Sequence, residues 1–337
     1  MVRVSGIGSW PGTDVRAALQ AIRDDLAEIG ADGVSGMPYL PELPARGPGS
    51  DPIGRSAHLL HDLPVDLQPQ GWRLVDRPGM DAFRTSSLWR QDMDELAEVF
   101  DGYDREFKVQ VVGPWTLASE LWLPLGDRVL SDPGAVRDLG QSLGAGIAEH
   151  LTAVRRLLPR AAIVVQLDEP ALPRVLAGRV PSASGYRRLA APEPDHAAAL
   201  LRSVLRSATS TERISTVLHC PAPRPPLQVM REAGPTGISI DVTQLDAHRW
   251  EGVAVAVEAG VDLWAGVLKT DEDPAAYRVG HDRLASAWRD VGLTSADLSR
   301  VSLTPTSGLA PLDPESARAL TAATVLIGRD LAETAVQ

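Results

Sequence analysis

What this chain lacks narrows its class before any motif is considered. Its single cysteine, Cys220, allows no internal disulfide, which is typical of proteins kept in a reducing compartment. No uncharged apolar run reaches the length of about 18 residues that a membrane-spanning helix needs. The first residues, MVRVSGIGSWPG, lack the apolar core and the cleavage site of a signal peptide. We therefore expect a cytoplasmic protein with no membrane partner.

Basic charge is scarce as well. The 337 residues carry 44 acidic side chains against 33 lysines and arginines, which gives a formal net charge of −11. The arginines are scattered along the chain, so no basic patch could dominate the surface and no nucleic-acid partner is expected. The expected partner is a small-molecule substrate, while the sequence leaves the oligomeric state open.

What the sequence does contain is a rhythm of short β-rich runs, Gly/Pro corners and helical patterns. Apolar residues make up 44% of the chain, which is enough for a full core. Several β-rich runs, such as AIVVQL and GISIDV, are almost continuously apolar, as expected for strands covered on both faces. The predicted strands are Val2–Gly8, Gly33–Met37, Lys108–Val112, Ala162–Leu167, Ile214–His219, Gly237–Asp241, Val261–Val267 and Arg300–Thr304. Eight strands alternating with helices fit an open doubly wound sheet or a closed barrel, and their number favours the barrel.

Helical patterns lie between these strands. They are Thr13–Ile29, Pro133–Leu157, Asp195–Ser207, Pro226–Ala233, Trp250–Ala259, Pro274–Asp290 and Pro314–Ala332. Segment Gly36–Trp72 is too long for an ordinary connection and predicts a functional excursion over the barrel mouth. Segments Trp72–Trp89 and Leu172–Pro194 predict further insertions. The chain, residues 1–337, is therefore predicted to be one α/β domain, a (β/α)8 TIM barrel with insertions at its mouth.

Chemistry in such a barrel collects at the C-terminal ends of the strands. Ser9 follows the first strand, where its hydroxyl and the nearby backbone amides could hold an anion. An equally simple interpretation is that Gly8 and Pro11 only make a tight turn. The GxG fragment here lacks the third glycine and the downstream acid of a dinucleotide fingerprint. A Rossmann-type cofactor site is therefore not expected.

Two adjacent carboxylates, Asp168 and Glu169, follow the apolar strand AIVVQL. Adjacent strand residues point to opposite faces, so only one of them should enter the barrel mouth. Asp168 lies two residues after Gln166 and shares its face. A carboxylate at this position could bind a substrate ammonium or act as a base, and the alternative is a charged corner in a salt bridge.

His219 and Cys220 end the following strand, and a His–Cys pair is compatible with zinc. Neighbouring strand residues diverge, however, so one ion cannot easily take both, and a hydrogen-bonding histidine is the alternative. Asp241 ends the strand after that. These residues predict at most a partial metal site.

Hydroxyl and indole side chains complete the candidate set. Thr304, Thr306 and Ser307 lie at the corner before the last helix, where they could bind an anion or only make a turn. Trp115 and Trp122 follow the third predicted strand and could stack on a flat ligand, although packing in the core is the default for tryptophan.

Four segments, in order along the chain, resemble one known family. The segments GIGSWPGT, GPWTLAS, QLDEPAL and TPTSGL are similar to the C-terminal catalytic barrel of cobalamin-independent methionine synthase, in its single-barrel bacterial and archaeal form. The resemblance covers most of this chain. The family's additional N-terminal barrel has no counterpart in it. It implies that Ser9 and Asp168 hold the amino-acid part of a thiol substrate such as homocysteine. The expected substrate-binding residues are Ser9, Trp10, Glu169, Trp115, Thr306 and Ser307, and the expected catalytic residues are Asp168, His219 and Asp271.

The chain departs from this family at the metal site. The family binds zinc through a His-x-Cys pair, a glutamate and a corner cysteine. Here His219 matches the histidine, Cys220 is shifted by one position, Asp241 stands near the glutamate position and Ser307 replaces the corner cysteine. The resemblance therefore implies a zinc site reduced to His219, Cys220 and Asp241, which would bind the ion poorly. The family's proton-donating histidine is also absent, and Asp271 or Glu272 stands in its loop.

The function expected from the sequence follows from this resemblance. It is a methyl- or alkyl-transferase in methionine biosynthesis that acts on a small thiol, with methyl-folate or a methyl-corrinoid as the implied donor. One alternative is a metal-independent lyase or decarboxylase of the uroporphyrinogen-decarboxylase type of barrel. Another is a barrel that binds a ligand without catalysis.

Overall fold

The computed structural model of the chain describes residues 1–30, 32–209 and 214–336. The strands are β1 (Val2–Val4), β2 (Val34–Gly36), β3 (Val65–Gln68), β4 (Gly71–Leu74), β5 (Glu106–Val112), β6 (Ala162–Asp168), β7 (Ile214–Cys220), β8 (Gly237–Asp241), β9 (Asp262–Leu268) and β10 (Ser302–Pro305). The α-helices are α1 (Val15–Ile22), α2 (Pro52–Ala57), α3 (Met80–Val99), α4 (Pro114–Glu120), α5 (Pro133–Leu157), α6 (Leu172–Leu176), α7 (Pro194–Ala208), α8 (Leu227–Glu232), α9 (Ala247–Glu258), α10 (Tyr277–Asp290) and α11 (Pro314–Thr334). None of the helices in these ranges is both long enough and apolar enough to cross a membrane.

Eight strands form one parallel sheet, while β3 and β4 form a separate antiparallel hairpin. The sheet order is β2-β1-β10-β9-β8-β7-β6-β5, so each strand lies beside its neighbour in the chain once the hairpin is set aside. The two end strands meet through a parallel bridge between Tyr39 and Lys108. There Lys108 N donates to Pro38 O at 2.9 Å and Leu40 N donates to Lys108 O at 3.0 Å. The predicted fold class, a TIM-barrel-like α/β fold, is confirmed.

Segments with a clear sequence pattern form the predicted elements. Helix α5 spans the predicted range Pro133–Leu157 and buries Leu139, Leu143, Ile147 and Leu151 on one face. The side chain of Asp132 accepts hydrogen bonds from two amides of its first turn and so caps the helix. Spacing and cap together account for the accuracy of this prediction.

One predicted insertion is partly wrong. Segment Trp72–Trp89 contains the first half of helix α3, which supplies the helical layer between β2 and β5. Only Thr85, Asp92, Leu96 and Val99 are buried along its 20 residues. Two of these four are polar, so the apolar stripe that identifies a helix in sequence is weak here.

The excursion between β2 and α3 is attached to the barrel rim by backbone hydrogen bonds. Trp10 N donates to Glu42 O at 2.8 Å, and Glu42 N donates to Gly8 O at 3.0 Å. At the other side, Val112 N donates to the hydroxyl of Ser56 at 2.8 Å. These bonds bring Glu42 to the residues that follow β1 and bring Ser56 to the C-terminal end of β5.

Candidate active site

The barrel interior changes from apolar to polar toward the C-terminal ends of its strands. Met37, Val164, Val217 and Trp264 form a small buried apolar cluster inside the ring. Because strand side chains alternate, Val164 on β6 is followed on the same face by Gln166 and then by Asp168. The polar residues therefore lie between this apolar cluster and the C-terminal ends of the strands, the mouth of the barrel.

A hydrogen-bonded chain of three side chains crosses this polar layer. Lys108 is fully buried, and its Nζ donates to Ile7 O at 2.7 Å and to Gln166 Oε1 at 2.9 Å. Gln166 Nε2 donates to Ile7 O at 2.9 Å and to Asp168 Oδ1 at 2.7 Å. Asp168 is half-buried, so it is the member of the chain that meets solvent at the mouth.

A second carboxylate, Glu42, lies beside this chain and is buried. Burial raises its pKa, and the nearby cations Arg55 and Lys108 oppose that rise. Arg55 is itself paired with Asp92, which is fully buried. Arg46 pairs with the same Asp92, so this one acid does not neutralise both arginines. Lys108 is the cation that acts on both Glu42 and Asp168.

Burial shapes the protonation of these groups. It raises the pKa of Asp168, and Glu42 adds to the rise while Lys108 opposes it. It lowers the pKa of Lys108, against the attraction of Asp168 and Glu42. It also lowers the pKa of His219 to about 3, with a further contribution from Lys108, so this imidazole is neutral at ordinary pH.

The turn that contains Ser9 contacts the turn that precedes the last helix. Leu309 N donates to Ser9 O at 2.9 Å, and Ala310 N approaches Ser9 Oγ at 3.5 Å. A Cβ on Gly308 would lie 2.0 Å from Ser9 Oγ, so a larger residue there would force the Ser9 hydroxyl to move. Ser307 is half-buried beside this contact, whereas Thr306 is buried and its N–H donates to Leu268 O at 2.8 Å. Two hydroxyls, of Ser9 and Ser307, thus lie at one rim of the mouth.

Glu169 lies on the opposite side of the strand end from Asp168. Its Oε1 accepts from Trp115 N at 2.8 Å, and its Oε2 accepts from Thr116 N at 2.8 Å and Thr116 Oγ1 at 2.7 Å. Burial raises its pKa to about 7. These contacts tie Glu169 to the first turn of α4, so they do not place it with the mouth residues.

The three residues proposed as metal ligands do not form a ligand set. His219 Nδ1 pairs with Ser239 Oγ at 3.0 Å. Asp241 accepts from Thr243 N and Oγ1 and from Gln244 Nε2 at 2.6–2.8 Å, which occupies both of its oxygens. Cys220 is buried next to His219 in the strand, and burial raises the pKa of its thiol to about 12, which disfavours the thiolate that binds metals. Within the ranges that the structure describes, no three His, Cys, Asp or Glu side chains are grouped to hold an ion.

Three further predicted site residues make no hydrogen bond or ion pair with Asp168 in the described part of the chain. Asp271 is exposed in the loop after β9. Trp10 is buried as part of the main core. Trp115 donates its indole N–H to Ala197 O at 3.1 Å and lines a surface cavity of about 730 Å³ between α5 and α7.

Lys108 and Glu42 belong to the site but were not among the predicted residues. The chain has only two lysines, Lys108 and Lys269, so a lysine inside the apolar run EFKVQVV was a usable signal. Glu42 is the only acidic residue between positions 37 and 50, in a segment otherwise rich in proline and glycine. Lys108 is the first residue of its predicted strand and Glu42 lies between two predicted strands. Neither therefore stands at a C-terminal strand end, where chemistry was expected.

Comparison with known proteins supports the fold. The chain matches no protein-family model and no curated protein with significance. Its structure is similar to a B12-independent methionine synthase from Shewanella sp. W3-18-1 in complex with selenomethionine, with a TM-score of 0.50 and 11% identity over 72% of this chain and 67% of that one. It is also similar to a glycerophosphodiester phosphodiesterase from Parabacteroides distasonis ATCC 8503, with a TM-score of 0.36 and 10% identity over 95% of this chain and 96% of that one. At such identities the likeness to the synthase shows a shared fold.

Proposed function

We propose that this barrel is an enzyme that binds a small amino acid at its mouth and transfers a methyl or alkyl group to the amino acid's thiol. The observation that carries the proposal is the pair of carboxylates, Glu42 and Asp168, arranged around one buried lysine. Burial raises the pKa of both acids in the free protein, and a substrate ammonium beside them would favour their ionised forms. Homocysteine is the substrate class that this arrangement and the family resemblance favour together.

The opposite rim suits the other end of an amino acid. The hydroxyls of Ser9 and Ser307 lie where the first and last strands end, and both residues are half-buried. Hydroxyl donors satisfy a carboxylate without adding charge. An amino acid would then lie across the mouth, with its ammonium toward Asp168 and its carboxylate toward Ser9.

The structural comparison supports the same ligand class. The methionine synthase of similar fold was determined with selenomethionine, which carries an ammonium, a carboxylate and an alkylated selenium. Those are the groups that the proposed site would recognise in a methylated product.

The proposed transfer balances with a methyl-folate or a methyl-corrinoid as donor. The substrate sulfur forms a bond to the methyl carbon with its own electron pair, and the bond from methyl to the donor breaks with its pair left on the donor. The thiol proton passes by way of water to the leaving nitrogen of a folate donor, or stays with water when the donor is a corrinoid. The residues present do not fit a zinc ion, so the proposal uses no metal for thiol activation, and the rate should rise with pH toward the usual thiol pKa of about 8.5.

Calorimetric titration tests the ligand class. The protein should bind homocysteine and methionine and should reject analogues that lack the ammonium group. Asp168→Asn should weaken binding about ten- to a hundredfold because one charged hydrogen bond is lost, while the urea midpoint stays nearly unchanged.

Asp195→Asn is the matched control, since this acid is exposed in the first turn of α7 and should leave binding unaltered. Failure of the unaltered protein to bind either amino acid would reject the proposed function. Equal binding of analogues without the ammonium would do the same.

A further inference from the structure

We propose that Lys108 is a positioning residue which, acting through the amide of Gln166, keeps Asp168 an acceptor carboxylate ready for a substrate ammonium. This inference rests on the proposed function for its purpose, because it assigns Asp168 the ammonium of the ligand. Its physical content, the link from Lys108 to Asp168, is a property of the free protein.

The first step is the polarity of the Lys108 contact. A lysine ammonium has donors only, so the atom of Gln166 that faces it must be the amide oxygen. The contact is 2.9 Å, and Lys108 has a second acceptor in the Ile7 carbonyl at 2.7 Å. With its partners fixed in this way, Lys108 allows the Gln166 amide one orientation.

The second step follows from that orientation. If Gln166 Oε1 faces Lys108, then Gln166 Nε2 must point the other way, and it donates to Asp168 Oδ1 at 2.7 Å. Nε2 also donates to Ile7 O at 2.9 Å, which holds the amide plane from a third side. An N–H aimed at a carboxyl oxygen favours the ionised acid over the protonated one.

The third step is the charge around the relay, the hydrogen-bonded chain from Lys108 through Gln166 to Asp168. Glu42, from the excursion after β2, repels Asp168, and burial also favours its neutral form. His219 on β7 is neutral, Arg55 on α2 is paired with Asp92, and the Tyr39 ring lies 5.3 Å from Lys108 Nζ. Lys108 is the positive charge that opposes protonation of Asp168, both directly and through the Gln166 amide.

Removal of Lys108 would release both effects. Gln166 would lose its charged partner, and its bond to the Ile7 carbonyl alone would then hold the amide N–H toward Asp168. The two carboxylates would also lose the cation that acts on both of them. Asp168 would hold its proton to a higher pH.

Infrared spectroscopy of the free protein tests the link without a ligand. The carboxylic-acid C=O band of Asp168 is the band that disappears in Asp168→Asn, and its intensity against pH gives the titration midpoint. In Lys108→Met the midpoint should rise by about 1–3 pH units, the usual effect of losing an opposite charge at close range. Gln166→Met keeps the lysine but breaks the relay, and it should also raise the midpoint. Lys269→Met, at the only other lysine, should leave the midpoint in place.

Each outcome decides the inference. An unchanged midpoint in folded Lys108→Met would refute it, and a shift in Lys108→Met without one in Gln166→Met would refute the relay. If Lys108→Met does not fold, the Gln166→Met titration decides alone. Homocysteine calorimetry on the same proteins separates the two proposals, because absent binding in the unaltered protein rejects the proposed function while the infrared result still judges the link.

Discussion

At the scale of single residues, two neighbouring acids have opposite surroundings because they occupy opposite faces of one strand end. Asp168 meets the mouth and accepts from Gln166, while Glu169 accepts three hydrogen bonds from the first turn of α4. Strand geometry alone predicts that the pair must divide in this way. It does not state which acid faces which side, and that depends on the shared face of Gln166 and Asp168.

Glu169→Gln should destabilise the fold without affecting ligand binding. The new amide places an NH2 group where a carboxylate oxygen now accepts from a backbone N–H, so at least one buried donor loses its partner. We expect a loss of about 1–3 kcal/mol in the free energy of unfolding, measured by urea denaturation. An amino-acid affinity that fell together with stability would instead place Glu169 in the ligand site.

Much of the mouth could be anticipated from sequence, but its electrostatic centre could not. Ser9 and Asp168 stand at strand ends, where the barrel fold concentrates chemistry. Lys108 stands in mid-strand, where burial makes an apolar residue the default, and only the rarity of lysine distinguished it. Glu42 reaches the mouth through an irregular excursion whose path depends on contacts distant in sequence.

At the scale of elements, prediction succeeded where an apolar stripe and a cap coincided and failed where the stripe was thin. Helix α5 has both and was predicted over its full length, whereas α3 buries four residues, two of them polar. Helix α5 also contacts the excursion closely: Ser142 Oγ donates to His61 O at 2.7 Å, and a Cβ on Gly146 would lie 1.6 Å from Leu59 O. The excursion is therefore packed against the barrel helices as well as its rim.

Gly146→Ala should separate α5 from the excursion. The added methyl group meets a backbone oxygen that cannot rotate away, and overpacking of this kind costs about 1–3 kcal/mol. Urea denaturation measures the loss. Gly134→Ala in the same helix is the control, since its Cβ would approach only the Asp132 carboxylate, at 3.1 Å, and it should change stability little. Equal free energies of unfolding for both variants would show that Leu59 can move away from the added methyl group without loss of stability.

At the scale of the whole molecule, buried titratable groups act on stability in opposite directions across the pH range. The carboxyls with raised pKa values, such as Glu169 at about 7, stabilise the fold at low pH, and this contribution is lost as pH rises through that value. The buried histidines have lowered pKa values, about 3 for both His150 and His219. Their contribution is present above the unfolded value of 6.5 and is lost as pH falls below it.

His150→Phe should reduce the sensitivity of the fold to acid. Among the described residues neither ring nitrogen of His150 has a hydrogen-bond partner, and its ring packs edge-on against Trp89 with centroids 4.7 Å apart, so phenylalanine loses little. Between about pH 7 and pH 5 the variant should lose about 2 kcal/mol less stability than the unaltered protein, measured by urea denaturation at each pH. The exposed His248→Phe serves as control, and an unaltered pH dependence in His150→Phe would contradict the argument.

In the described part of the chain, a parallel bridge between Tyr39 and Lys108 joins the two ends of the sheet. The backbone N–H and C=O of Lys108 join β5 to the chain after β2, while its ammonium contacts Gln166 in the interior. One residue thus joins the ends of the sheet and supplies a positive charge to Asp168 and Glu42. A local separation of the strands at this bridge would move the Lys108 ammonium. It would therefore change the electrostatic potential at the mouth.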